Sequence, residues 1–253
     1  MADVLELVDA EANAWLSGQT AGPSSASSSD RLTEEKSRPL PSRARPPTVR
    51  REESTGEIHL LLGCSIAKRA CFSVSIDDML VDRARSGNTW GRQEARLGLD
   101  LQRWRGAAAT FGLRPGSIVI WMSGNEAYDR HTGANTLGER RGPLEEAIHR
   151  VLGRLRAAAT SVVVLGPLPR FYVDRLLRWE STAAYRLDRK VKEASRPGEF
   201  VCLGKSLTKK LSGHHVVVEG TRGWFAEDGI HISPEGYRKI AAVTLFPRWL
   251  RMG

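Results

Sequence analysis

The sequence predicts an α/β fold whose parallel sheet is covered on both faces. Apolar strand runs alternate with segments of helical period, and most of the strand runs stop on Gly, Ser or Asn. Ile58-His59-Leu60-Leu61-Leu62 is a buried-strand run ending on Gly63, and Met79–Ala84 is a second strand ending at Ser86-Gly87-Asn88-Thr89. A helix is expected from Trp90 to Phe111. Pro115-Gly116 then turns into the strand Ser117–Met122, and a helix over 143–159 leads to the strand Ser161–Leu165, which stops at Gly166-Pro167. Residues 174–195 read as one helix, Phe200–Leu203 as a short strand, and Ser233 to Trp249 as a closing helix.

The chain has 253 residues, 41% hydrophobic and 26% charged, which suits one globular domain with an appendage. That domain is expected at 55–253. Residues 1–17 carry Val4, Leu5, Val8, Ala12, Trp15 and Leu16 at helical spacing, predicting a short amphipathic helix that either docks a partner or has no role. Residues 18–54 are rich in Ser, Pro and Arg with almost nothing to bury, predicting a disordered linker.

No stretch approaches the roughly 20 apolar residues of a membrane span. The acidic start, with Asp3, Glu6, Asp9 and Glu11, is unlike a secretory signal, so a soluble intracellular protein is expected, cytoplasmic or nuclear. Cys64, Cys71 and Cys202 lack metal-ligand spacing and are expected as free thiols, while His131, His214 and His215 read as surface or loop residues. No metal or organic cofactor is expected. Net charge is +9 overall, and residues 56–253 alone hold 31 Lys/Arg against 20 Asp/Glu. That excess favours polyanions, so weak, sequence-independent binding to nucleic acid or another anionic surface is expected. Arg83, Arg85, Arg92, Arg96, Arg103 and Arg105 with Trp90 and Trp104 read as a solvated helix face over two core aromatics, or as an anionic-ligand groove.

One constellation carries chemistry. Asp228-Gly229-Ile230-His231 precedes a helix whose cap and first turn are Ser233-Pro234, and Ser65 lies just after the first strand. An Asp three residues before a His can orient an imidazole that deprotonates a distant serine. Ser65, Gly87 and Asn125 each follow a predicted strand, so a parallel sheet brings all three to the edge where ligands bind. Main-chain amides at Ser65 and Gly87, with the Asn125 side chain, could hold an oxyanion. Cys64 is a rival thiol nucleophile, but adjacency to Ser65 predicts that it points the other way.

With these residues the sequence resembles the SGNH hydrolases, the GDSL-type esterases and lipases. Gly63-Cys64-Ser65-Ile66 resembles the family's first block, Ser86-Gly87-Asn88-Thr89 its second, Ser123-Gly124-Asn125-Glu126 its third, and Asp228–Tyr237 its last. The resemblance implies a flavodoxin-like three-layer α/β/α sandwich and a serine hydrolase for a carboxylic ester, such as an acetyl ester. It places Ser65, His231 and Asp228 in a catalytic triad, and Ser65, Gly87 and Asn125 in the oxyanion hole. Three departures stand out: Cys64 replaces an Asp, Gly124 falls one position late, and Glu126 replaces another Asp. A second reading follows from them, a binding module that kept the fold, lost the chemistry and holds a polyanion on its basic surface. Domains of this family in some mobile elements share that layout.

Overall fold

The apolar runs form one parallel sheet, in a computed structural model that describes residues 56–129, 137 and 141–252. In chain order the elements are β1 (Glu57–Gly63), α1 (Ser65–Arg69), β2 (Phe72–Ser73), β3 (Met79–Asp82), α2 (Trp90–Phe111), β4 (Arg114–Trp121), α3 (Arg141–Arg156), β5 (Val162–Leu165) and α4 (Phe171–Asp174). There follow α5 (Ala183–Ala194), β6 (Phe200–Val201), β7 (Lys209–Leu211), β8 (His214–Val216), α6 (Pro234–Val243) and β9 (Arg251–Met252), with short 3-10 turns at Trp179–Ser181, Gly204–Leu207 and Glu219–Trp224.

The sheet has five strands in the order β3-β1-β4-β5-β6, every neighbouring pair parallel. Counted among themselves, these strands follow the flavodoxin order 2-1-3-4-5. The chain leaves β1 on one side to make β3, then crosses back to make β4. The connections therefore diverge beyond the carboxyl ends of β1 and β4, which opens a crevice at Gly63 and Trp121.

Strand alternation sorts the core into two layers. Ile58, Leu60, Leu62, Ile118 and Ile120 face a cluster with Leu97, Trp104, Val151 and Leu187 of α2, α3 and α5. Leu61, Val119, Trp121, Val163 and Leu165 face the other way, onto Ile66 of α1 and Tyr237 and Ile240 of α6. Helices thus cover both faces, completing a three-layer α/β/α sandwich, and each fully buried Leu or Ile contributes ~1.5–3 kcal/mol.

Local chemistry sets the boundaries. Thr89 caps α2 by accepting from the Arg92 amide, and Gly112 ends it at φ 65, so this helix spans the residues its pattern predicts. Two expected helices are corrected. The single helix at 174–195 is instead α4, a 3-10 turn and α5, because Leu176 takes φ 65 and its amide bonds Val217 O at 2.8 Å, which draws the chain out of helix toward β8. The closing helix stops at Val243, with Thr244 extended, because the residues after it fold back over the sheet. There Trp249 stacks on buried His59 at 4.2 Å, and β9 pairs with β2. The expected strand at 79–84 ends at Asp82, whose carboxylate accepts from the Ala84 amide at 2.7 Å and turns the chain.

The expected helix at 1–17, the linker at 18–54 and His131 lie outside the described residues. Among the described residues no helix is long and apolar enough to cross a membrane, and no cluster of His, Cys, Asp and Glu could hold a metal ion.

Candidate active site

Ser65 is the first residue of α1, set at the crevice by the Gly63-Cys64 turn at the end of β1. Cys64 does point the other way. Its thiol is buried and lies 2.8 Å from Ser123 Oγ, so it packs under the third block rather than into the crevice.

His231 sits in the loop ahead of α6, which begins at Pro234 and is capped by Ser233 accepting from the Gly236 amide at 3.1 Å. Its Nε2 lies 2.9 Å from Ser65 Oγ, and its Nδ1 lies 2.5 Å from Asp228 Oδ2. The other carboxylate oxygen of Asp228 accepts from the amides of Ile230 and His231, both at 2.9 Å. Burial pushes the Asp228 carboxyl up, but these hydrogen bonds outweigh it and hold the group at about 2. An ionised Asp228 keeps the Nδ1 proton on the imidazole, leaving Nε2 as acceptor for the Ser65 hydroxyl.

The second and third blocks meet at the rim. Gly87 takes φ 67, the left-handed region open to glycine, and its carbonyl accepts from the Arg92 guanidinium at 2.9 Å. Among the described residues the amides of Ser65 and Gly87 donate to no acceptor. The Asn125 side chain donates to the main-chain carbonyl of Asn88 at 2.9 Å, which leaves one of its two N–H groups uncommitted. Gly124 turns at φ 107, its carbonyl accepting from the Ala127 amide at 2.9 Å, so the late glycine of this block still makes a turn. Glu126 is buried and accepts from the Trp90 amide at the first turn of α2. The longer carboxylate thus binds the third block to the helix that follows the second.

A buried polar network that the sequence did not reveal lies beneath. Asn88 donates to Gly63 O at 3.1 Å and to Gln93 Oε1 at 2.7 Å, Gln93 donates to Asp100 at 3.0 Å, and Arg85 forks onto Asp100 at 2.6 and 3.0 Å. The hydrogen bond to Asp100 raises the Arg85 ionisation equilibrium against the pull of burial. Arg85 therefore belongs to this network rather than to a solvated helix face, while Trp90 and Trp104 are core residues. Arg170 was also missed; its signal was its place just after the strand that stops at Gly166-Pro167.

No protein-family model matches the sequence, and comparison with curated protein sequences finds no match. Solved structures do match. An acetylxylan esterase from Geobacillus stearothermophilus, solved as a catalytic mutant, is similar at 15% identity over 75% of this chain and 92% of that chain, with a TM-score of 0.52. The acetyl xylan esterase AlAXEase is similar at 12% identity over 73% and 96%, with a TM-score of 0.51. A GDSL-like lipase from Bacteroides thetaiotaomicron is similar at 16% identity over 74% and 84%, with a TM-score of 0.47. The likeness is one of fold. The chain has the three-layer sandwich of the two acetyl xylan esterases.

Proposed function

We propose that this protein is a serine hydrolase of carboxylic esters, acetyl esters among them, working through an acyl-enzyme. The observation that carries this reading is the hydrogen-bonded line from Ser65 Oγ to His231 Nε2 at 2.9 Å and from His231 Nδ1 to Asp228 at 2.5 Å. In the proposed reaction Ser65 Oγ attacks the ester carbonyl as its proton passes to His231 Nε2. Asp228 stabilises the imidazolium, which returns the proton to the departing alkoxide. Water then attacks the acyl-Ser65 carbonyl with His231 again as base, releasing the acid and restoring Ser65. The negative charge on the carbonyl oxygen is assigned to the amides of Ser65 and Gly87 and the uncommitted N–H of Asn125, a type of contact worth ~2.7–4 kcal/mol per donor in related sites.

The binding-module reading rests on the net excess of 11 positive charges over residues 56–253. A module that had abandoned chemistry would have no use for a carboxylate held at about 2 against an imidazole that contacts a serine. Covalent labelling with a fluorophosphonate probe tests the hydrolase reading. Wild-type protein is expected to label and Ser65→Ala not to; labelling that survives in Ser65→Ala, or none in wild type, overturns it.

A further inference from the structure

Among the described residues, Arg170 is a buried cation near the crevice that the proposed reaction does not use. It follows β5 across Gly166-Pro167-Leu168-Pro169 and is 8% exposed. Two of the site's loops hold it. Its guanidinium lies over the Tyr128 ring at 4.6 Å, and Tyr128 is in the segment that carries Asn125. The next residue, Phe171, donates its amide to Gly229 O at 2.7 Å, inside the turn that carries Asp228 and His231.

The neighbouring acids are held by donors other than the guanidinium. Asp174 accepts from Tyr128 OH at 2.6 Å and from the main-chain amide of Arg170 at 2.7 Å, and Asp228 is held by His231 and two amides. Among the described residues the guanidinium makes no hydrogen bond or ion pair, and its nitrogens are not among the sealed, unpartnered atoms of the interior. Burial pulls the Arg170 ionisation equilibrium down, while Tyr128, Asp174, Cys64 and Asp228 are close enough to pull it up. Arg170 thus stands at the carboxyl end of the sheet between the segment that carries Asn125 and the turn that carries Asp228 and His231. A desolvated charge with idle donors is costly unless something pairs with it.

We propose that Arg170 is a substrate-binding residue, forming a subsite beside Ser65 for a carboxylate carried by the ester substrate. The assignment rests on the hydrolase reading and names its substrate class. A carboxylate fits better than a phosphate: it brings one charge to one cation, and its two oxygens match the planar guanidinium fork. The Tyr128 ring packs against the guanidinium and limits its freedom.

The test compares esters that differ only in charge, with full-length protein. One pair carries it on the alcohol, para-acetoxybenzoate against para-acetoxybenzamide; the other carries it on the acyl group, mono-para-nitrophenyl adipate against its methyl ester. Wild type is expected to favour the charged member of one pair by ~30-fold or more in kcat/KM, and Arg170→Met to bring that ratio toward one, as expected when a charge-assisted hydrogen bond is lost. Arg170→Lys should retain part of the preference, since it keeps charge but not the fork. No charge preference in wild type for either pair, or a preference that survives Arg170→Met, overturns the subsite. Equal losses on charged and neutral esters overturn it as well, making Arg170 a positioning residue for the Asp228 turn. If Arg170→Met does not fold, the wild-type ratios decide, together with whether benzoate slows fluorophosphonate labelling more than benzamide does. If none of the four esters is turned over, the hydrolase reading fails separately; calorimetric binding of benzoate that is weakened in Arg170→Lys and lost in Arg170→Met then supports the subsite, and absence of binding, or binding unchanged in Arg170→Lys, sinks it.

Discussion

The Asn125 side chain donates to the main-chain carbonyl of Asn88 at 2.9 Å, so two loops from opposite sides of the switch point are tied at the rim where Ser65 sits. The bond orients the Asn125 amide before any substrate arrives. Orientation fixed in advance is what makes an oxyanion donor effective.

Asn125→Ala is accordingly expected to lower kcat about 100- to 1,000-fold with a much smaller change in KM, because the donor acts where charge develops in the transition state. Steady-state kinetics on a neutral acetyl ester measure the split. A drop confined to KM would remove Asn125 from the oxyanion assignment.

Asp228→Asn should be nearly as damaging as loss of the nucleophile. The amides of Ile230 and His231 bond one carboxylate oxygen, so in the variant they select the Asn carbonyl and leave its NH2 facing His231 Nδ1. An NH2 there requires an unprotonated Nδ1, which puts the proton on Nε2 and removes the base; ~10,000-fold in kcat is the scale for that tautomer error. Since Asp228 titrates at about 2, below the ordinary 3.8, its hydrogen bonds contribute stability above about pH 4 that fades as pH falls toward 2. Acid titration by circular dichroism should show Asp228→Asn lacking that component. A variant with near wild-type turnover would contradict the triad.

Asp100→Ala tests the network beneath the rim. Removing the carboxylate strands Arg85 and Gln93 and frees Asn88, so urea denaturation is expected to show a loss of about 3 kcal/mol, at the low end for a broken buried pair because Arg85 is partly exposed. Pairing it with Arg85→Met should recover part of the loss, since no buried charge is then left alone. A single-variant loss within about 0.5 kcal/mol would mean that the network carries little.

What the sequence made legible follows from how local each cause is. The helix from Trp90 to Phe111 was readable because its stops are single residues, Thr89 and Gly112. The positions of Ser65, Gly87, Asn125 and His231 were readable because each follows a strand or precedes a cap, and the contact of His231 with Ser65 joins two of them. The break at Leu176 was not, because it answers to Val217, 41 residues away, and the early end of α6 answers to His59 across the sheet. Polar partners chosen by three-dimensional packing leave no periodic trace, which is why Asp100 and Arg170 looked like ordinary charges. The departures at Gly124 and Glu126 resolve only in three dimensions, as a turn and a bond to Trp90.

The basic surface predicts a separate behaviour. Any binding to duplex DNA should be weak and sequence-independent, and the logarithm of affinity should fall against that of salt with a slope of about −0.9 per phosphate contacted. Ser65→Ala should not change it. Tight, sequence-selective binding in physiological salt from a protein that labels with no fluorophosphonate would put the binding module first.

Asp188 gives the last prediction, in stability. It is buried on α5 with Oδ1 unpartnered among the described residues, and only the Cys202 thiol approaches Oδ2, at 3.9 Å. Burial raises its carboxyl to about 6 despite that thiol. The folded protein then holds the Asp188 proton more tightly than the unfolded chain, whose carboxyl titrates near 3.8. This group therefore costs nothing well below pH 4, only about 0.5 kcal/mol at pH 4, and progressively more as pH rises to 6, reaching about 2–3 kcal/mol. Asn is nearly isosteric and uncharged, so Asp188→Asn should nearly match wild type in urea denaturation at pH 4 and exceed it by about 2–3 kcal/mol at pH 8. An advantage independent of pH would show that shape, not charge, limits the site. No advantage at pH 8 would mean that water reaches Asp188 and solvates its charge.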